Sequence, residues 1–244
     1  VRKKFYLDFV KDSHRKNAYA ASIGETILDA NENNVSQIIK YINTFNYLSV
    51  REQSSLELIQ KYTDKKVFHV LDPTLLLSRE EWEEVIPSSN QGNYAFVYTL
   101  GLNTNDIQTI DKLCQKKKIR IRDVFYKKRF HYLDKNLNGL GPKEWVSVLA
   151  ASSFVITNSF HGTVFAILNH KEFLVITRNS MNNRIYDLLK KLGISGRIFN
   201  SEELQTLENL DSLPKINYEE VDNRLKKLRE SSIEFLKKIL KLDE

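Results

Sequence analysis

Within the six residues Thr157-Asn-Ser-Phe-His-Gly162 stand two hydroxyls, an amide, an imidazole and a glycine, preceded by the apolar run Phe154–Ile156 and followed by Thr163–Leu168. A β-branched run, a polar turn and an apolar segment of helix length, in that order, predict a strand, a loop and a helix. The loop then lies at the carboxyl end of a parallel strand, the edge at which open α/β sheets bind ligands. It also faces a helix start, where N–H groups without intrahelical partners and the positive end of the helix dipole suit a phosphate or a carboxylate. On this reading Asn158 and Ser159 bind substrate, Gly162 lets the backbone come close to it, and His161 supplies a charge-assisted hydrogen bond or a proton. The same spacing fits a plainer use, in which Ser159 or Asn158 caps the helix and His161 packs.

Two further stretches carry cations to the same kind of edge. Leu48-Ser-Val-Arg-Glu52 reads as a strand end running into a helix, and the Arg51 guanidinium there can hold a carboxylate in a two-pronged fork. Its plainer reading is a surface arginine paired with Glu52. Thr177-Arg178-Asn-Ser-Met-Asn-Asn-Arg184 is a polar loop whose two arginines, Arg178 and Arg184, are candidates for phosphate or acceptor contacts, or are simply solvated. No Gly-x-Gly-x-x-Gly follows a strand and no Gly-x4-Gly-Lys-Ser/Thr loop occurs, so the common dinucleotide and nucleoside triphosphate cradles are missing. No His-Glu-x-x-His or paired-cysteine set suggests a metal. The expected chemistry is acid–base and electrostatic.

The elements that must position these residues alternate between short strand-like runs and segments of three-to-four periodicity, the pattern of a parallel α/β architecture. Strands are predicted at Asn17–Gly24, Tyr47–Val50, Val67–Leu71, Tyr94–Leu100, Ile119–Val124, Phe154–Thr157 and Phe173–Ile176. Helices are predicted at Val35–Phe45, Glu52–Tyr62, Thr104–Lys118, Pro142–Ala151, Gly162–Leu168 and Arg184–Leu192. Pro142 suits a first helical position, and Gly193 a helix end. Residues 78–93, with Pro87, Ser88, Ser89, Asn90 and Gly92 at their end, read as a linker. The division is then a partial first domain at residues 1–77, the linker, a second domain at 94–216, and a long amphipathic helix from Tyr218 within 217–244. That helix needs a surface to lie on: either it crosses back to the first domain or it pairs as a coiled coil, against which Ser231-Ser232 stands in the seam. The chain opens on Lys4-Phe-Tyr-Leu-Asp-Phe9 as if in the middle of a fold, and so small a first domain would bury little core, so residues upstream are expected.

With 244 residues, 41% hydrophobic and 28% charged, the composition is that of a soluble globular protein. No apolar run is long enough to span a bilayer, and the single cysteine, Cys114, permits no internal disulfide, which points to a reducing, cytoplasmic setting. The formal charge of +6 is spread along the chain rather than gathered in an aromatic-laced stripe, which argues against nucleic acid. It suits an anionic small substrate or the anionic face of a membrane.

Taken in order, Tyr19-Ala-Ala-Ser-Ile-Gly24, Leu48-Ser-Val-Arg-Glu52, Val70-Leu-Asp-Pro-Thr-Leu-Leu-Leu77, Gly141-Pro-Lys-Glu-Trp145, Thr157-Asn-Ser-Phe-His-Gly-Thr-Val-Phe165 and Asn183-Arg-Ile-Tyr-Asp-Leu-Leu189 resemble the polysaccharide pyruvyl transferase family across nearly the whole chain. The resemblance implies a GT-B-like architecture: two Rossmann-like domains with a cleft between them, the first of them truncated here, and a C-terminal helix crossing back. The family's usual opening, a glycine-containing strand and turn with helices behind it, is missing from this sequence.

The activity implied is transfer of pyruvate from phosphoenolpyruvate, as a ketal, to a sugar diol in surface or capsular polysaccharide biosynthesis. Phosphoenolpyruvate is then a co-substrate, and no cofactor is needed. In family terms Arg51 and His161 look like a donor-binding pair on opposite sides of the cleft, with His161 also the acid. Ser22, Asn158, Ser159, Gly162, Arg178 and Arg184 are the substrate-binding candidates. The acceptor is implied to be a glycan, lipid-linked and met at the cytoplasmic face of the membrane, with Phe125–Gly141 as a loop that selects it. Two other readings stay open on the residues: a nucleotide-sugar glycosyltransferase of the same architecture, and an inert binding remnant.

Overall fold

The computed structural model describes residues 3–12, 16–22, 32–86, 90–125, 127–177 and 183–240. The chain forms two compact units, one of residues 1–76 with 223–244 and one of residues 77–222. Parallel strands alternate with helices in both, and among the described residues no sheet closes into a barrel. This is the α/β class that the periodicity implies.

In the first unit β1 (Asn17–Ala21), β2 (Tyr47–Val50) and β3 (Val67–His69) form a parallel sheet in that order, with α1 (Glu32–Asn43) and α2 (Gln53–Gln60) as the crossovers. The core is built as the apolar spacing demands. Val35, Ile38 and Ile42 of α1 meet Leu48 and Val50 of β2, Leu58 and Ile59 of α2, and Val67 of β3. The β1–β2 register shifts between Ala18 and Ala21, where Ala20 takes φ of 52°. The buried Ser49 hydroxyl repairs that break: it accepts from the Ala20 N–H at 2.9 Å and donates to the Ala18 carbonyl at 3.1 Å.

The last helix, α9 (Tyr218–Leu240), begins in the second unit and from Asn223 belongs to the first. Its Phe235 sits among Tyr19, Tyr47 and Phe68, with the Phe68 ring centroid 4.6 Å away. Ser232, a flaw in any coiled-coil seam, is fully buried and its hydroxyl accepts from the Leu71 N–H at 2.9 Å. A polar residue stands there because the backbone just beyond β3 needs an acceptor.

The second unit runs α3 (Arg79–Val85), β4 (Tyr94–Tyr98), α4 (Thr104–Lys116), β5 (Arg120–Asp123), β6 (Leu133–Asn136), α5 (Pro142–Ala150) and β7 (Phe154–Thr157). It continues with α6 (Phe160–Leu168), β8 (Phe173–Ile176), α7 (Asn183–Leu192), β9 (Ile198–Phe199) and α8 (Ser201–Thr206). All six strands are parallel, in the order β6-β5-β4-β7-β8-β9. Both β7 and β8 are buried at every residue, as uninterrupted apolar runs in a parallel sheet should be. The α6 helix is buried from Gly162 to Leu168, which is why it lacks a polar face.

The elements α3, β6, β9 and α8 depart from the sequence reading. Residues 78–93 were expected as linker, yet α3 occupies part of them, closed by a capping box in which Ser78 and Glu81 satisfy each other's backbone N–H. The polar strand β6 carries no hydrophobic alternation and reads as loop, since an edge strand needs only one neighbour.

Candidate functional site

From β4 the chain builds outward to β5 and β6 on one side and returns to β7, β8 and β9 on the other, so the winding reverses between β4 and β7. In an open α/β sheet the crevice outside the carboxyl ends at such a reversal is where ligands bind. The loop that follows β7 at that point is Asn158-Ser159, running into His161 and Gly162 of α6.

Thr157 and Asn158 tie the two strand ends together. The Thr157 hydroxyl donates to the Tyr98 carbonyl at 2.7 Å and accepts from the Ser159 N–H at 3.1 Å. The Asn158 carboxamide accepts from Leu100 N–H at 2.9 Å and donates to the Leu100 carbonyl at 2.8 Å. Both ends of the Asn158 amide therefore brace the loop after β4. Ser159 caps α6, its hydroxyl accepting from the Gly162 N–H at 3.4 Å, while its carbonyl receives the Thr163 hydroxyl at 3.0 Å. Gly162 is buried, and a Cβ placed on it would lie 2.3 Å from the Thr157 hydroxyl oxygen. The glycine thus lets the helix start close on the strand end. Gly162→Ala is expected to overpack this contact and to lower stability by about 1–3 kcal/mol, which thermal unfolding would measure.

His161 is exposed in the first turn of α6, its ring centroid 5.5 Å from that of Phe160 and nearly perpendicular to it at 79°. Arg184, at the start of α7, places its guanidinium carbon 5.9 Å from the centroid of the same Phe160 ring. One half-buried aromatic ring thus brings an imidazole and a guanidinium to the start of α6. That gathering combines an imidazole and a guanidinium with helix-start N–H groups, an arrangement suited to a phosphate or carboxylate. Phe160 carried no chemical signal in the sequence and gains its part by meeting both side chains. Arg178 lies outside the described residues.

In the first unit Ser22 and Arg51 follow adjacent strands, and the Arg51 N–H donates to the Ala21 carbonyl at 3.3 Å. Ser22 is exposed and lies on a largely apolar cavity of about 300 Å³, with Tyr6, Ala18, Ile42, Leu48 and Val50 among its walls. The Arg51 side chain is only 18% exposed and is held by two buried carboxylates: Nη1 donates to Asp72 at 2.5 Å and Nε to Glu52 at 3.3 Å. The pairing with Glu52 is the one that adjacency in the sequence suggests. Asp72 is the partner the sequence hides, because it lies 21 residues away and looks there like a strand stop before Pro73.

The loop after β5 is anchored by a second fork. Arg129 donates through Nε and Nη2 to the two oxygens of Asp123, at 2.8 and 2.6 Å, and covers the Phe125 ring at 4.1 Å. Asp123 is fully buried, and burial pushes its carboxyl above the usual range against the opposing pull of Arg129 and the Val124 N–H. Cys114 is buried in α4, and burial pushes its thiol up to about 12, far from a reactive thiolate.

Two parallel-sheet units, the second carrying His161 and Arg184 about a helix start at its reversal point, define an α/β protein with an edge suited to an anionic ligand. The chain belongs to the polysaccharide pyruvyl transferase family, whose model it matches over residues 2–180, and hence to a family of transferases. A search of curated proteins returns no match. Among solved structures, the UDP-GlcNAc 2-epimerase of Methanocaldococcus jannaschii, in complex with UDP-GlcNAc and UDP, aligns at a TM-score of 0.49 and 12% identity. The alignment covers 77% of this chain and 62% of that one. Among the described residues no helix is long and apolar enough to cross a membrane.

Proposed function

We propose that the protein transfers pyruvate from phosphoenolpyruvate to a sugar diol, forming a cyclic ketal and releasing phosphate. The observation that carries this reading is the pair His161 and Arg184 about Phe160 at the start of α6, within a chain of the pyruvyl transferase family. Phosphoenolpyruvate is a small, highly charged donor, and its carboxylate and phosphate require cationic clamps both to be positioned and to have shifting charge stabilised.

The reaction adds a proton to the donor's methylene carbon, making it a methyl group and leaving positive character on the adjacent carbon. One sugar hydroxyl adds to that carbon, and the second hydroxyl displaces phosphate to close the ring. Of the two hydroxyl protons released, one balances the proton placed on the methyl group and the other leaves with phosphate. His161, exposed beside the helix start, is the proposed acid. Arg184 and the first N–H groups of α6 are the proposed phosphate or carboxylate contacts, and Arg51 of the first unit is a further donor clamp. The proposed acceptor is a glycan, lipid-linked and met at the cytoplasmic membrane face by peripheral association.

Calorimetric titration tests the donor assignment without needing the acceptor. Phosphoenolpyruvate is expected to bind, more weakly to Arg184→Ala and to Arg51→Ala, and UDP-GlcNAc is expected to give no heat. Binding of the nucleotide sugar with none of phosphoenolpyruvate would overturn the reading. In turnover, Arg51→Ala should lose on the order of 10²-fold in kcat/KM for phosphoenolpyruvate, the scale of a deleted transition-state donor.

A further inference from the structure

We infer that Asp72 is a positioning residue, whose task is to fix the guanidinium of Arg51; this rests on the proposed reading that Arg51 engages the donor. Each part of the arrangement constrains the next. Asp72 Oδ1 accepts from both the N–H and the hydroxyl of Thr74, at 3.0 and 2.7 Å, in the turn opened by Pro73. With the carboxylate locked by its own turn, Oδ2 takes Arg51 Nη1. Glu52 acts from the other side, its Oε2 receiving the Ser55 hydroxyl at 3.0 Å and its Oε1 receiving Arg51 Nε.

The Arg51 backbone is fixed as well, since its N–H is bonded to Ala21 and its carbonyl accepts from His69 Nε2 at 3.1 Å. Two carboxylates, each 3% exposed, therefore set the plane of one guanidinium at the carboxyl edge of a parallel sheet. A buried ion cluster adds little stability over well-packed apolar groups, so stability alone is a weak reason for three charges here. A side chain as flexible as arginine gains far more as a ligand clamp if its plane is set before the ligand arrives.

Asp72→Asn is the discriminating variant, because its amide oxygen still accepts from Thr74 while its NH2 group opposes the Arg51 donor. The experiment compares phosphoenolpyruvate-dependent phosphate release by the wild type, Asp72→Asn, Arg51→Ala and the double variant, with Thr74→Val as the control for the turn. Asp72→Asn is expected to lose about 10- to 100-fold in kcat/KM for phosphoenolpyruvate, as a misplaced binding group does. The double variant should be no worse than Arg51→Ala. Full activity of Asp72→Asn, or losses that multiply in the double variant, would overturn the inference.

A second readout does not use the reaction. The ¹⁵N-resolved Nη–H signal of Arg51, identified by its loss in Arg51→Lys, should stay resolved in Thr74→Val and move to the position of exposed arginines in Asp72→Asn, since Nη1 is the nitrogen that Asp72 holds. If Arg51→Ala keeps wild-type turnover, the donor role of Arg51 fails, and the signal still decides whether Asp72 positions it: an unmoved signal in Asp72→Asn contradicts the inference.

Discussion

His161→Ala should reduce pyruvyl transfer by about 10²- to 10⁴-fold, the range for removal of a general acid, while lowering the melting temperature only slightly. The two halves of that expectation have separate causes. The side chain is exposed on the first turn of α6, so its loss opens no buried cavity and gives up a ring contact with Phe160 near the surface. The helix start is held by Ser159, Thr157 and Thr163 through their own hydroxyls and backbone. Steady-state phosphate release and a thermal melt on the same preparations check it. A large drop in stability would return His161 to a structural part, and unchanged turnover would remove it from the chemistry.

Arg129→Ala should destabilise the fold by about 3–5 kcal/mol, the cost of leaving a buried carboxylate without its cation. Asp123 is fully buried, Arg129 is 9% exposed at the side chain, and both carboxylate oxygens are taken by the one guanidinium. A typical domain is stable by only about 5–15 kcal/mol, so the loss is a large share of the whole.

The deficit also has a pH signature. The Asp123 carboxyl already sits above its usual range, and removing Arg129 takes away the hydrogen bond and the charge that pull it down. A carboxyl whose folded value lies above its unfolded one favours the fold below the unfolded value, and that stability is lost as pH rises through the folded value. The gap between wild type and variant should therefore be smallest at acid pH and widen toward neutrality. Urea melts across that range measure it, and a gap independent of pH would mean that Arg129 acts through its packing on Phe125 and Phe130 alone.

How far the sequence carries the account depends on how local each signal is. The strand, loop and helix around Thr157–Gly162 were legible because apolar period, capping serine and glycine lie within a few residues of one another. The β7 and β8 strands announced themselves by unbroken apolar runs. By contrast β6, Leu-Asp-Lys-Asn, carries no burial pattern and exists only because β5 offers it an edge.

The same limit applies to the side chains. Spacing proposes Asn158 and Ser159 as ligand contacts or caps; Ser159 caps the helix start, while Asn158 braces the loop after β4, a partner 58 residues away that no neighbouring residue reveals. Arg184 over Phe160, and Asp72 on Arg51, are meetings across 24 and 21 positions, set by strand order rather than by sequence distance. A reading that began from adjacent parallel strands would have looked for Asp72, since an Asp-Pro turn beyond β3 comes out beside the end of β2.

The measurement that bears most directly on the central proposal is phosphoenolpyruvate-dependent phosphate release with a panel of galactosides and mannosides, run on the protein beside His161→Ala. Release that requires both an acceptor diol and His161 is the predicted result. Absence of release from the folded protein with every acceptor, or release that His161→Ala leaves intact, would contradict it.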